Sequence, residues 1–275
     1  MIERDWVENR PTTGAWPRLA LREAWAFRDV GVILAERDVK VRYKQTFFGV
    51  AWALIQPLAA MIVFTLVLGR LDGLSSEGVP YSAFVIAGLA VWFPFSAAVG
   101  NAAESLVSAP DLVTKVYFPR LLAPLGAVLA VVVDLAIALG IALVVAFVAG
   151  VRLQPAVILL PACALAVIAV ALALGLWLAA LNVLYRDVRY AVAFFMQLLF
   201  FASPIVYASS VVEGSGDWLF ALNPVVGLVE LTRWCLLGTA APGTDALVSL
   251  ASTVVLLAGG LAFFRRTEQQ FADRI

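Results

Sequence analysis

The polar and apolar positions along this chain fall into long uncharged runs separated by short charged clusters. The runs are residues 46–69, 78–103, 121–151 (interrupted only by Asp134), 153–185, 190–212 and 246–264. A helix needs about 20 consecutive apolar residues to cross the roughly 30 Å hydrocarbon core of a bilayer. Each run meets that length, and the fourth exceeds it enough to include some loop. None alternates with period two, as the strands of a membrane β-barrel would. The pattern predicts an all-α integral membrane protein with six transmembrane helices. Two further apolar pieces, 218–229 and 234–243, are too short to cross and lie between the fifth and sixth runs. They predict two short re-entrant helices. The expected organisation is a 1–45 cytoplasmic N-terminal region, a 46–264 transmembrane domain and a 265–275 cytoplasmic tail.

Composition agrees. Hydrophobic residues make up 63% of the 275 and charged residues 14%, against roughly 45–50% and about 25% in soluble domains. The start, Met1-Ile2-Glu3-Arg4-Asp5, has no early apolar core, so no cleavable secretory signal is expected. The cations fix an orientation. With six spans, 16 of the 19 Lys and Arg fall on the side that holds both termini. Only Arg70, Arg152 and Arg233 fall on the other. The positive-inside rule then predicts cytoplasmic termini. Ahead of the first run, residues 19–43 mix apolar and charged positions, with Leu21, Trp25 and Val32 near one helical face. That predicts an amphipathic helix in the membrane interface, leading to Arg42-Tyr43-Lys44 at the mouth of the first span.

Candidate chemistry is sparse. There is no histidine, which removes the commonest general base and metal ligand. Cys163 and Cys235 match no metal or redox spacing and read as packing residues. No metal site is expected, and no basic stripe suggests nucleic acid. The lysines are Lys40, Lys44 and Lys115, and none follows a glycine. A G-x-x-x-x-G-K-[ST] phosphate loop is therefore impossible. Asp134, alone within an apolar span, should face the bundle interior or water. It has three possible roles: pairing with a cation, lining a channel, or being protonated. A polar contact to another span is the preferred one.

Short patterns recur in a telling order: Arg37-Asp38-Val39-Lys40-Val41-Arg42-Tyr43-Lys44-Gln45-Thr46, Gly49-Val50-Ala51-Trp52, Gln56-Pro57-Leu58, Lys115-Val116-Tyr117-Phe118-Pro119-Arg120, Leu181-Asn182-Val183-Leu184-Tyr185-Arg186-Asp187-Val188, Ser203-Pro204-Ile205-Val206-Tyr207, Asn223-Pro224-Val225 and Phe264-Arg265-Arg266. Together, from about Ala35 to the C-terminus, they resemble the ABC-2 type permeases. Within these they resemble the Wzm-like polysaccharide exporters, with teichoic-acid and galactan exporters close by.

The resemblance implies the permease subunit of an exporter that moves lipid-linked polysaccharide out of the cytoplasm across a bacterial inner membrane, for lipopolysaccharide or cell-wall biosynthesis. Two copies of the chain, a homodimer, would work with two ATPase subunits. Those subunits would bind ATP and Mg, leaving this chain with no cofactor and no chemical step. Lys115, Val116, Tyr117, Phe118, Pro119 and Arg120 would form the coupling loop, with Tyr117 and Phe118 as an aromatic knob rimmed by Lys115 and Arg120. The alternative for that loop is a topogenic cytoplasmic loop.

Trp52, Phe64, Phe195, Phe200 and Asp134 are the candidates for the substrate path, drawn from a wider aromatic set that includes Trp92, Phe93, Phe95, Trp177, Phe194 and Phe201. Ring faces pack on sugar C–H faces, although aromatic belts at membrane interfaces are ordinary. Pro57 and Pro204 would kink the first and fifth spans. Arg42, Tyr43, Lys44, Arg186, Asp187 and Arg189 are candidates for the cytoplasmic entrance. Arg186-Asp187-x-Arg189 reads either as a positive-inside turn or as a rim admitting an anionic head. The rival functions are a related exporter of drugs or small lipids, a polytopic glycosyl or lipid transferase, and a secondary carrier or channel.

Overall fold

A computed structural model of the chain describes residues 25–44, 49, 51–69, 76–110, 118–212 and 220–274. Helix dominates, with no strand among the described residues. The helices are α1 (Arg28–Lys44), α2 (Ala51–Val67), α3 (Tyr81–Glu104), α4 (Leu122–Leu129), α5 (Val132–Val148), α6 (Leu160–Leu184), α7 (Val188–Phe201), α8 (Pro224–Leu237), α9 (Thr244–Thr267) and α10 (Phe271–Arg274). Short 3-10 turns cover Pro155–Leu159, Ser209–Val212 and Glu268–Gln270. Among the described residues, four segments are long and apolar enough to cross a membrane: Tyr81–Glu104, Leu122–Val148, Pro155–Leu184 and Thr244–Gln270. The shorter apolar helices α2 and α7 stand where the first and fifth spans are expected. The protein is an all-α membrane protein.

α3 is the axis of the bundle. Its residues from Ala83 to Trp92 are all buried, and α2, α4, α5, α6, α7 and α8 all pack against it. Lipid tails are as apolar as leucine, so helices in a membrane are held by close packing and polar contacts. Small residues permit the closest crossings. A Cβ built on Gly175 of α6 would lie 2.6 Å from the Ala102 Cβ of α3. Trp177 of α6 covers Gly259 and Gly260 of α9, donates its indole N–H to the Leu256 carbonyl at 2.9 Å and stacks on Phe263 with ring centroids 5.0 Å apart.

Three expected elements differ. The third run is a single candidate span but is broken at Ala130–Val131, just before Asp134. The fifth stops at Phe201, and Ala202–Val212 is turns and 3-10 helix, so Pro204 lies beyond the helix and kinks nothing. Between the fifth and sixth spans, the boundary between the two expected pieces is not at 230–233: Phe220 and Ala221 are helical, the break falls at Leu222–Asn223, and residues 218 and 219 lie outside the described residues. One helix, α8, crosses the gap between them. Asn223 caps it, accepting from the Val225 N–H at 3.0 Å, and Pro224 suits its first turn because that N–H needs no partner. Gly238 ends it in the left-handed conformation, φ 67°.

Two clusters make the core. The larger joins α3, α5, α6 and α8. The smaller collects Leu34, Leu106, Phe118, Leu121, Leu122, Leu176, Phe264 and Phe271 at one end of the bundle. That end therefore holds both α1 and the C-terminal turn. On α1 the buried residues are Gly31 and Leu34, against Leu122 and Gly126 of α4. Trp25 and Val32 are exposed, pointing away from the protein, and Leu21 lies outside the described residues.

Candidate functional site

A cavity of about 670 Å³ opens between α3, α6 and α7. α3 and α7 run antiparallel along it, so each end takes residues from both. At one end stand Trp92, Phe93, Phe200 and Phe201. At the other stand Asn101, Glu104, Asn182 and Arg189. From Trp92 to Glu104 is twelve residues of helix, which spans about 18 Å.

The aromatic end is a ring network. Phe200 lies 5.4 Å from Trp92 edge-on, 5.3 Å from Phe201 edge-on and 6.1 Å from Phe64 of α2. These separations and tilts are the favoured ones for quadrupolar rings. The polar end is set by Asn182, which donates to the Ala103 carbonyl at 2.8 Å, and by an Arg189–Glu104 pair at 3.8 Å. Both charges are about half exposed, so water screens the pair and it adds little stability. It can exchange partners at small cost. The surface therefore offers flat apolar faces at one end and hydrogen-bonding groups at the other.

A second cluster lies at the mouth of α5. Asp134 receives the Arg42 guanidinium and the Tyr43 hydroxyl. Burial, and then the bond to Asp134, push the Tyr43 pKa up to about 12, so this hydroxyl stays a donor at physiological pH. Of the roles open to Asp134, the cation pair is the one observed, and the partner comes from α1 rather than from another span. A polar residue at that depth is acceptable because its charge is matched.

The third constellation was not anticipated. Arg233 of α8 is 2% exposed. It donates through Nη2 to the Ile205 carbonyl at 2.7 Å, through Nη1 to that of Tyr207 at 3.4 Å and through Nε to that of Phe84 at 3.3 Å. Its guanidinium sits 3.5 Å from the Phe84 ring centroid. Tyr81 donates to the Val206 carbonyl at 2.8 Å, and Asn223 donates to Ser203 Oγ at 2.9 Å. Non-helical backbone within a membrane is tolerated only where protein satisfies it. The segment Ser203–Tyr207 is satisfied in this way, and Gly88 admits its close approach, since a Cβ there would meet the Ile205 oxygen at 2.6 Å. The motifs at Ser203-Pro204 and Asn223-Pro224 thus meet in space. Sequence counting treated Arg233 only as an outer cation. Its signal was its isolation in an apolar stretch.

The other candidates divide. Phe64, Phe200 and Arg189 belong to the cavity or its ring network. Trp52 is 46% exposed on α2 and Phe195 43% exposed on α7, and neither lines the cavity. Lys44, Arg186 and Asp187 are exposed. Arg186 lines a smaller cleft of about 410 Å³ with Val107, Pro110, Asn182 and Arg274. Lys115, Val116 and Tyr117 lie outside the described residues. Phe118 is 5% exposed within the smaller cluster, so it is no outward knob. Pro119 is half-buried, and Arg120 donates to the Glu268 carbonyl at 2.5 Å. Cys163 and Cys235, both buried, touch at 3.6 Å between α6 and α8, as packing residues would.

Comparison with known proteins gives these features a context. The O-antigen export system permease protein RfbA of Myxococcus xanthus is 31% identical over 258 residues, covering 93% of this chain and 98% of its own length. Two proteins of the same name from Klebsiella pneumoniae are 24% and 23% identical, each covering 89% of this chain and 94% of their own length. Residues 31–237, from α1 to the end of α8, match the ABC-2 type transporter family, and the chain belongs to that family.

Proposed function

We propose that this chain is the permease subunit of an ATP-driven exporter that carries lipid-linked polysaccharide across a bacterial inner membrane, with both termini cytoplasmic. The observation that carries this reading is the likeness to O-antigen export permeases along nearly the full length of both proteins. The cavity between α3 and α7 is consistent with it, pairing aromatic faces with amide and charged groups. Energy must come from elsewhere, because no lysine of this chain follows a glycine and a phosphate loop ends in Gly-Lys. Two partner subunits would bind ATP and Mg and dock at residues 115–120. Two copies of this chain would enclose a path that one thin bundle cannot. Nucleotide would drive the path open only as far as the partner binds one conformation more tightly than the other.

The groups nearest an entering anionic head are Arg42, Tyr43, Lys44, Arg186, Asp187 and Arg189. Among the described residues, Arg189 pairs with the exposed Glu104. Exchanging the charges, Glu104→Arg with Arg189→Glu, is expected to leave folding unchanged and to slow glycan export several-fold.

The direct test is to purify the chain with its ATPase and measure hydrolysis with and without lipid-linked glycan. Glycan-stimulated hydrolysis by a complex of two permeases and two ATPases supports the reading. Stimulation by drugs or simple lipids alone would keep the family and change the substrate.

A further inference from the structure

We infer that the C-terminal turn Glu268–Arg274 is part of the surface on which the ATPase subunit docks, and that it holds the end of the coupling loop in place. This rests on the proposed function above. Three observations carry it.

First, the turn is fastened rather than trailing. Phe271 is fully buried, lies edge-on to Phe264 at 5.2 Å and shares a cluster with Phe118 and Leu121. Second, Arg120, the last residue of the coupling segment, donates to the Glu268 carbonyl at 2.5 Å. Arg265 in turn pairs with the Glu268 carboxylate at 3.4 Å. The loop end and the turn are thus one body, built from positions 148 apart in sequence. Third, the turn is two-sided. Phe271 faces inward while Gln269, Gln270 and Arg274 are exposed. The inward ring is the anchor, which leaves a polar outer face on the turn bonded to Arg120.

The occupant follows from the chain itself. It belongs to a family of ABC transporters and carries no phosphate-loop motif, so the ATP-hydrolysing partner is a separate subunit, which on the proposed orientation docks at the end that holds the termini. The 105–121 connection between α3 and α4 is the internal connection on that side long enough to receive it. Any subunit seated on the Phe118–Arg120 end of that loop meets the turn bonded to it. In this arrangement Phe271 and Arg120 are positioning residues that touch no nucleotide. They fix the angle at which the loop meets its partner, so their loss should weaken coupling as well as assembly.

The test uses the full chain co-expressed with its ATPase. Gln270→Cys and Gln269→Cys are labelled with a maleimide in membranes, with the wild-type chain, whose two cysteines are buried, as background. Labelling is expected to fall at least fivefold when the ATPase is present. Phe271→Ala should reduce the retained ATPase several-fold while the permease stays monodisperse, and Arg120→Lys, which still donates to the carbonyl, should restore glycan-stimulated hydrolysis that Arg120→Ala loses. If Phe271→Ala misfolds, the labelling result alone decides. Equal labelling with and without a retained ATPase overturns the inference and leaves the function standing. Failure of the wild-type chain to retain any ATPase overturns both.

Discussion

Arg233 shows how much a single buried side chain can hold in this protein. Its fork reaches the carbonyls of Ile205, Tyr207 and Phe84, where water cannot substitute. Each buried acceptor left unsatisfied costs roughly 1–3 kcal/mol. Arg233→Ala is therefore expected to lower stability by about 3 kcal/mol or more, read as thermal unfolding in detergent. Arg233→Lys should not rescue it, because an ammonium is a point donor and cannot span three carbonyls. Asp134 is the second such residue. Asp134→Ala leaves Arg42 half-buried without its carboxylate and should cost about 1–3 kcal/mol. The double variant with Arg42→Ala should cost less than the sum of the single changes, and additivity in that cycle would show that the pair carries no coupling. Neither arrangement could be read from the sequence. Asp134 announced itself as an acid among apolar residues, but its partners lie 92 and 91 positions away. Arg233 was hidden by its apparent place in an outer loop.

Among the elements, α3 depends on small residues where it crosses α6. Gly175→Val would place atoms where Ala102 already sits 2.6 Å from a bare Cβ, and overpacking of this kind costs about 1–3 kcal/mol. Reduced yield of folded permease and earlier thermal unfolding are expected, with Gly140→Ala, at a site with nothing within 4 Å, as the neutral control. The helices themselves were legible because hydrophobic length is set by the bilayer, a constraint visible residue by residue. α6 and α9 follow the expected runs closely. What misled was local chemistry inside apolar stretches. The break at Ala130–Val131 has no proline or polar residue to mark it, only the end of one helix hydrogen-bonded back to Gly126 and Val128. The helix α8 was divided in two by Glu230 and Arg233, charges that suggested a loop but are accommodated inside the fold. Its true bounds were written in Asn223-Pro224 and Gly238, a cap and a stop that hydropathy alone passes over.

At the scale of the molecule, two regions stand out, the α3–α7 cavity and the cluster around Phe271. On the proposed reading, the α3–α7 cavity would offer a sugar chain aromatic faces and polar groups, and the Phe118–Arg120–Phe271 cluster would offer the ATPase subunit a fixed platform. The sequence expected Phe64 and Phe200 on the substrate path and Arg189 at the cytoplasmic entrance, whereas Phe200 and Arg189 line one cavity and Phe64 stacks on Phe200. It could not separate these rings from Trp52 and Phe195, since every aromatic in an apolar helix looks alike until neighbours are known. It assigned residues 115–120 to a coupling segment with Phe118 on its outer face, but Phe118 is buried, and Phe271, which shares its cluster, lies at the far end of the chain. The most direct measurement is ATP hydrolysis by the reconstituted permease–ATPase complex, with and without lipid-linked glycan, beside the same complex carrying Phe200→Ala. Wild-type hydrolysis is expected to respond to glycan and the Phe200→Ala response to weaken several-fold at unchanged basal rate. A stable complex whose hydrolysis is indifferent to glycan would contradict the assignment of this chain as a polysaccharide export permease.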